Sequence, residues 1–71
     1  MADSVYKIIE LVGTSTESWE KAAEAAIIKA AESLRDLRIA EVSQLDMHIK
    51  DGKIECYRTK VKVSFKYVGG H

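Results

Sequence analysis

The chain has 71 residues, 46% of them hydrophobic, with 11 basic and 11 acidic side chains and a formal net charge of zero. That hydrophobic share belongs to a folding chain rather than a disordered one, and the even charge lacks the electrostatic footprint of a nucleic-acid binder. No apolar run approaches the ~20 residues needed to cross a bilayer. The opening Met1-Ala2-Asp3-Ser4 has no basic region followed by an apolar stretch and does not read as a signal peptide. The expectation is one cytoplasmic domain, residues 1–71, without membrane or nucleic-acid partners.

A chain this short buries only about 60% of the surface its unfolded form exposes, so its stability is marginal without further help. Disulfides, metals or assembly supply that help in small proteins. The single cysteine, Cys56, excludes an internal disulfide and a multi-cysteine zinc site. Assembly is the remaining candidate.

Val5 to Val12 is β-rich and almost wholly apolar, interrupted by Lys7 and Glu10, which predicts a strand covered on both faces. Gly13 is expected to end it. Thr14 and Glu17 fit a capping box for the next element, with Ser15 or Thr16 as alternative N-caps.

From about Glu17 to Leu37 the spacing is helical. Trp19, Ala23, Ala26, Ile27, Ala30, Leu34 and Leu37 share one face, and the alanines suggest close packing against a sheet. Acidic residues crowd the start, and Arg35 and Arg38 sit near the expected end, as the helix dipole favours.

Ile39 to Lys50 predicts a second strand, in which Leu45, Met47 and Ile49 alternate with Asp46, His48 and Lys50. Ala40 and Val42 have the opposite parity, so a bulge or bend is expected near Ser43-Gln44. Asp51-Gly52 is a two-residue hairpin signal, because both positions of a type I′ turn need positive φ. In the third strand Tyr57, Thr59, Val61, Val63, Phe65 and Tyr67 alternate with Arg58, Lys60, Lys62, Ser64 and Lys66. This gives one face for burial and one basic face, over a length well beyond the usual 5–6 residues. The tail from Gly69 to His71 is expected to fray.

The order β-α-β-β predicts an α+β fold, a three-stranded antiparallel sheet packed on one long helix. One helix cannot cover the apolar surface of such long strands, and a lone copy would expose edges and a sheet face. A homo-oligomer is expected on this ground too.

The catalytic inventory is thin. His71 is terminal, and His48 falls on the polar side of its strand. Cys56 has no CxxC partner and no histidine beside it in sequence. There is no phosphate loop, His-x-x-x-His pair or Gly-x-Ser-x-Gly elbow, and the acid, base and nucleophile constellation of an enzyme is missing. The basic face, Arg58, Lys60, Lys62 and Lys66, is expected to be solvated or paired across strands with Glu41, Asp46, Asp51 or Glu55 rather than to hold a polyanion. Trp19, in the first helical turns, is expected to cover core or a subunit contact.

Taken in order, the segment VYKIIELVGTST, the amphipathic helix, LRIAEV and the strand YRTKVKVSFK resemble the dodecins over nearly the whole chain. The resemblance implies a hollow homododecamer of β-α-β-β subunits that holds flavins, riboflavin or FMN, in pairs at sites between subunits, for storage and sequestration rather than catalysis. At the position where flavin-binding dodecins carry a stacking tryptophan this chain has Ile39, and where they carry a ring-binding glutamine it has Arg58. The resemblance implies a substituted site with Ile39 and Arg58 flanking the flavin and Gln44 and Tyr57 nearby. Ile39 lacks the aromatic stacking term of ~0.5–1.5 kcal/mol, and Arg58 can donate to ring carbonyls but cannot accept a proton. Through Ser18-Trp19-Glu20, Arg38-Ile39-Ala40, Asp46-Met47, Tyr57-Arg58 and Val63-Ser64-Phe65-Lys66 the chain also resembles the calcium dodecin subgroup, at least as closely as the flavin-binding group, which implies calcium as an alternative ligand. Calcium wants six to eight oxygens, and no acidic cluster is present in one chain; a site would be assembled across symmetry from Asp46, Glu41 or Glu20.

Overall fold

The structure, a computed structural model, describes residues 4–67. Its elements are β1 (Tyr6–Ser15), α1 (Trp19–Ser33), β2 (Leu37–Lys50) and β3 (Lys53–Lys66). The three strands form one antiparallel sheet in the order β1-β3-β2, with α1 on one face. The expected α+β fold is thus the observed one. The expected fraying of the tail lies outside the described residues.

The core lies where α1 crosses the middle of β3. Ala26 packs with Val61 and Val63, and Ile9, Leu11, Ala23, Ile27 and Leu37 close around them; Ala22 and Ala30 are buried on the same helix. Alternation along β3 sends Thr59, Val61 and Val63 under the helix, while Lys62 stays exposed on the far face.

Four boundaries differ from the sequence expectation. β1 does not end at Gly13 but runs on to Ser15, pairing Gly13 with Thr59 and Ser15 with Tyr57. Gly13 sits under α1, where it lets the helix approach the strand, and does not act as a breaker. The N-cap is Ser18, whose hydroxyl accepts a hydrogen bond from the Lys21 N–H at 3.0 Å; Ser15 instead accepts from the Glu17 N–H at 2.9 Å in the preceding bend. The helix stops at Ser33, not Leu37. Asp36 takes a positive φ of 59°, and this tight turn frees Leu37 to open β2. Arg35 and Arg38 therefore lie beyond the helix, whose last turn carries no basic residue. Ala22, absent from the expected helix face, is its most buried member.

The phase change in β2 is real. The register shifts between Val42 and Gln44, as parity demanded, and also between Leu37 and Ile39 and between His48 and Ile49. Asp51 (φ 52°) and Gly52 (φ 75°) both occupy the left-handed region, so the β2–β3 turn has the backbone that Asp-Gly signals.

The fold is elongated. Its extents are 55 × 20 × 16 Å and its radius of gyration is 14.8 Å, against about 11 Å for a compact domain of this length. Strands of 14 residues cause this: they run ~46 Å, about twice the ~22 Å of a 15-residue helix. β1 is not covered on both faces within one chain, and Val5, Tyr6, Ile8 and Val12 remain exposed.

Candidate functional site

The face of the sheet turned away from α1 carries three of the four side chains the sequence singled out, Ile39, Gln44 and Arg58. Pairing partners share a face in an antiparallel ladder, so the register fixes the rows on this open face. They run Ile8–Ser64–Ile39, then Glu10–Lys62–Glu41, then Val12–Lys60–Gln44, then Thr14–Arg58–Asp46, and last Cys56–His48 toward the turn.

At one end, Ile8, Ile39, Glu41, Lys62 and Ser64 line a shallow recess of ≈ 220 Å³. Ile39 is 67% exposed, an apolar side chain with nothing from its own chain over it. The Ser64 hydroxyl donates to the Ile39 carbonyl at 3.4 Å.

At the other end, Arg58 forms a two-point pair with Asp46. Its Nε donates to Oδ1 at 2.7 Å and its Nη2 to Oδ2 at 2.9 Å, with both side chains partly exposed. The hydrogen bonds from Arg58 hold the Asp46 carboxyl below the usual carboxylate range, with a smaller contribution from the Lys60 charge; the same bonds hold the Arg58 guanidinium above its usual value. The fork matches the carboxylate and uses two of the five guanidinium N–H donors, leaving the others for a ligand oxygen.

Of the four candidate residues, Ile39, Gln44 and Arg58 lie on this open face and Tyr57 lies on the opposite one. Tyr57 packs edge-on against Trp19 with ring centroids 5.0 Å apart. Trp19 Nε1 donates to the Asp46 carbonyl at 3.0 Å, and the Thr59 hydroxyl donates to the Trp19 carbonyl at 2.8 Å. Trp19 therefore covers core, as expected, and ties α1 to the strand segment that bears Asp46 and Arg58. Ile39 sits opposite Ser64, six positions along β3 from Arg58, or about 20 Å. One fused three-ring ligand does not touch both within a single chain.

The expected cross-strand pairing of the basic face holds for Arg58 with Asp46. Glu55, expected opposite a basic residue, instead lies 2.7 Å from His48 Nδ1. His48 is also the cross-strand neighbour of Cys56, a proximity that sequence adjacency does not show. Among the described residues, no three His, Cys, Asp or Glu side chains gather as a metal set: Asp46 is held by Arg58, Glu41 lies on the open face, and Glu20 is in the first turn of α1. No helix among the described residues is long and apolar enough to cross a membrane.

A three-stranded antiparallel sheet backed by one helix on one face, with the other face bare, defines the α+β class of this chain. The sequence profile of the family described as Dodecin matches residues 5–68, and the chain belongs to the dodecin family. It is 46% identical over 63 residues to the calcium dodecin of Mycobacterium tuberculosis, covering 89% of each chain. It is 39% identical over 62 residues to the dodecin of Thermus thermophilus, covering 87% of this chain and 90% of that one. Among solved structures, the dodecin of Streptomyces coelicolor superposes with a TM-score of 0.88 at 31% identity, covering 94% of this chain and 96% of that one. A crystal structure of the Mycobacterium tuberculosis calcium dodecin, described as calcium-chelating with a novel calcium-binding site, superposes with a TM-score of 0.83 at 46% identity, covering 96% and 97%.

Proposed function

We propose that this chain is the subunit of a non-enzymatic, cytoplasmic homododecameric shell that binds and sequesters a flavin, riboflavin or FMN, on the open face of the sheet. The observation that carries this reading is the pairing of a bare apolar platform, Ile39 beside Ile8, with a guanidinium that keeps free donors on the same face. An apolar surface with a few oriented polar groups is what a planar, polar-edged ligand requires. Since Ile39 and Arg58 stand about 20 Å apart in one chain, the site takes Ile39 from one copy and Arg58 from another, and is incomplete in a monomer. Gln44, two positions from Arg58 by register where Ile39 is six, supplies a second polar edge. Tyr57 acts from the far face by fixing Trp19. Mechanism here is exclusion of water from the ring.

Calcium is the second reading, favoured by the likeness to a relative named calcium dodecin. In this chain Asp46 is neutralised by Arg58, so a cation site needs carboxylates from several copies.

A riboflavin titration of the purified assembly, read by loss of flavin fluorescence with particle size followed by light scattering, tests the reading. Saturable quenching on an intact particle supports it. An intact particle that leaves riboflavin fluorescence unchanged, and whose thermal stability falls on chelation of calcium, transfers the function to the cation.

A further inference from the structure

Arg58 by itself is an incomplete recognition group. Its guanidinium carries N–H donors and no acceptor, so it can hold the carbonyl oxygens of a flavin's pyrimidine ring but not the N–H that stands between them. Asp46, its cross-strand partner on the open face, is the opposite: a carboxylate with about four lone-pair sites and nothing to donate. The two are locked together. Nε donates to Oδ1 at 2.7 Å and Nη2 to Oδ2 at 2.9 Å, which leaves donors on one partner and lone pairs on the other. In such a planar fork the second hydrogen on Nη2 and the outer lone pair of Oδ2 leave from the same edge, side by side. That edge reads donor, then acceptor, as a carboxamide does.

We infer that Asp46 is a ligand-binding, specificity-determining residue: beside Arg58 it accepts the ring N–H of a planar heterocycle with an imide edge, the C=O, N–H, C=O sequence of the flavin pyrimidine ring. This rests on the flavin reading above and names the edge of the ring that the site selects. Both side chains are reachable, 48% exposed for Arg58 and 39% for Asp46. Asp46 is also held in place before a ligand arrives. Trp19 Nε1 donates to its backbone carbonyl at 3.0 Å from the helix side, and the fork fixes its carboxylate, so little ordering is left for binding to supply. The hydrogen bonds from Arg58 keep the Asp46 carboxyl below the usual carboxylate range, and it is an ionised acceptor at neutral pH. Charge selects as well. The row Thr14–Arg58–Asp46 sums to zero, which suits an uncharged ring edge better than an anion, since Asp46 repels the latter. Asp46 and Arg58 stand on the same chain, so the pair enters a shared site as one unit.

The test compares riboflavin with riboflavin methylated at the imide nitrogen. Each is titrated into the wild-type assembly and into Asp46→Asn, with flavin fluorescence as the readout and light scattering to confirm an intact particle. The wild type is expected to bind riboflavin roughly 10-fold or more tighter than the methylated ring, the loss that goes with one hydrogen bond to a charged group. In Asp46→Asn, Arg58 claims the amide oxygen and the NH2 group turns toward the ring N–H, so riboflavin weakens and the preference falls to near unity. Asparagine has the shape of aspartate, so a merely steric rejection of the methyl group survives the substitution, and that survival overturns the inference. Equal binding of the two rings by the wild type overturns it as well and leaves the flavin reading standing. A preference that is kept in Asp46→Asn but lost in Gln44→Met overturns it in favour of Gln44 as the acceptor. An intact wild-type particle that leaves both fluorescences unchanged sinks the flavin reading and this inference together.

Discussion

Gly13 lies directly against the backbone carbonyl of Ala22, with no space between them for a side chain. The strand reaches Gly13 in extended form and pairs with Thr59 there, so the glycine serves contact rather than turning. A methyl group would collide with the Ala22 carbonyl and touch Ala26, both in the part of α1 that packs on the core. Helix backbone cannot rotate away as a side-chain tip can. Gly13→Ala is expected to cost about 1–3 kcal/mol, in the range of overpacked cores, and to lower the urea midpoint of the assembly. A midpoint equal to the wild type would show that α1 stands further from β1 than described.

The Asp46–Arg58 pair sets a pH dependence of definite sign. Hydrogen bonds from Arg58 lower the Asp46 pKa relative to the unfolded chain. The pair's contribution is therefore fully present above the ordinary aspartate value of about 3.9 and is lost as pH falls through the lower folded value. Thermal melts of wild type and Asp46→Asn should differ by a constant amount from neutral pH down to about 5 and converge in stronger acid. A difference that disappears between pH 6 and 7 would assign the effect to another group.

Trp19 ties three things together: its indole N–H donates to the Asp46 carbonyl, its ring meets Tyr57, and its own carbonyl accepts from Thr59. Trp19→Phe keeps an aromatic contact but removes the N–H donor, and is expected to cost about 1 kcal/mol. A double-mutant cycle with Trp19→Leu and Tyr57→Leu should give a coupling of ~0.5–1.5 kcal/mol for the edge-on pair. Additive single effects in denaturant titrations would mean that the rings do not interact.

Ile39 stands on the open face with no side chain of its own chain covering it. Ile39→Trp is expected to tighten riboflavin binding by roughly 2- to 10-fold, the gain that corresponds to one aromatic stacking term. Arg58→Ala is expected to weaken binding as its free donors are lost. Isothermal titration of each variant decides: no gain from tryptophan removes Ile39 from the site, and an unchanged affinity without the guanidinium removes Arg58.

The fold was legible because its signals are local and agree with one another. The alternation from Tyr57 to Phe65, the Asp51-Gly52 turn and the parity break before Gln44 each act within a few residues, and each holds in the structure, though Tyr67 lies past the end of β3 and is exposed. Misreadings fell where a distant partner overrides local preference. Gly13 looks like a breaker until α1 packs on it, and the helical spacing that continues to Leu37 gives way because Leu37 is drawn into the sheet opposite Phe65. At the candidate site, residue types were readable but placement was not. Arg58 meets Asp46 only through the hairpin register, and the bulge at His48–Ile49 helps to set that register. Tyr57 neighbours Arg58 in sequence yet faces the other way, as strand alternation requires. The distance from Ile39 to Arg58 depends on how far β2 and β3 slide past each other, which no short motif encodes.

In the sheet order β1-β3-β2, both outer strands pair only with the strand that comes last along the chain. During synthesis β1, α1 and β2 all leave the ribosome before any of them has a strand to pair with. Their apolar edges wait unpaired until residues 53–66 emerge, at ~5–20 residues per second. Folding of this subunit is therefore a late, single event: a nascent chain halted after Lys50 has no sheet to build, and chaperone contact is expected to peak just before the final strand clears the exit tunnel.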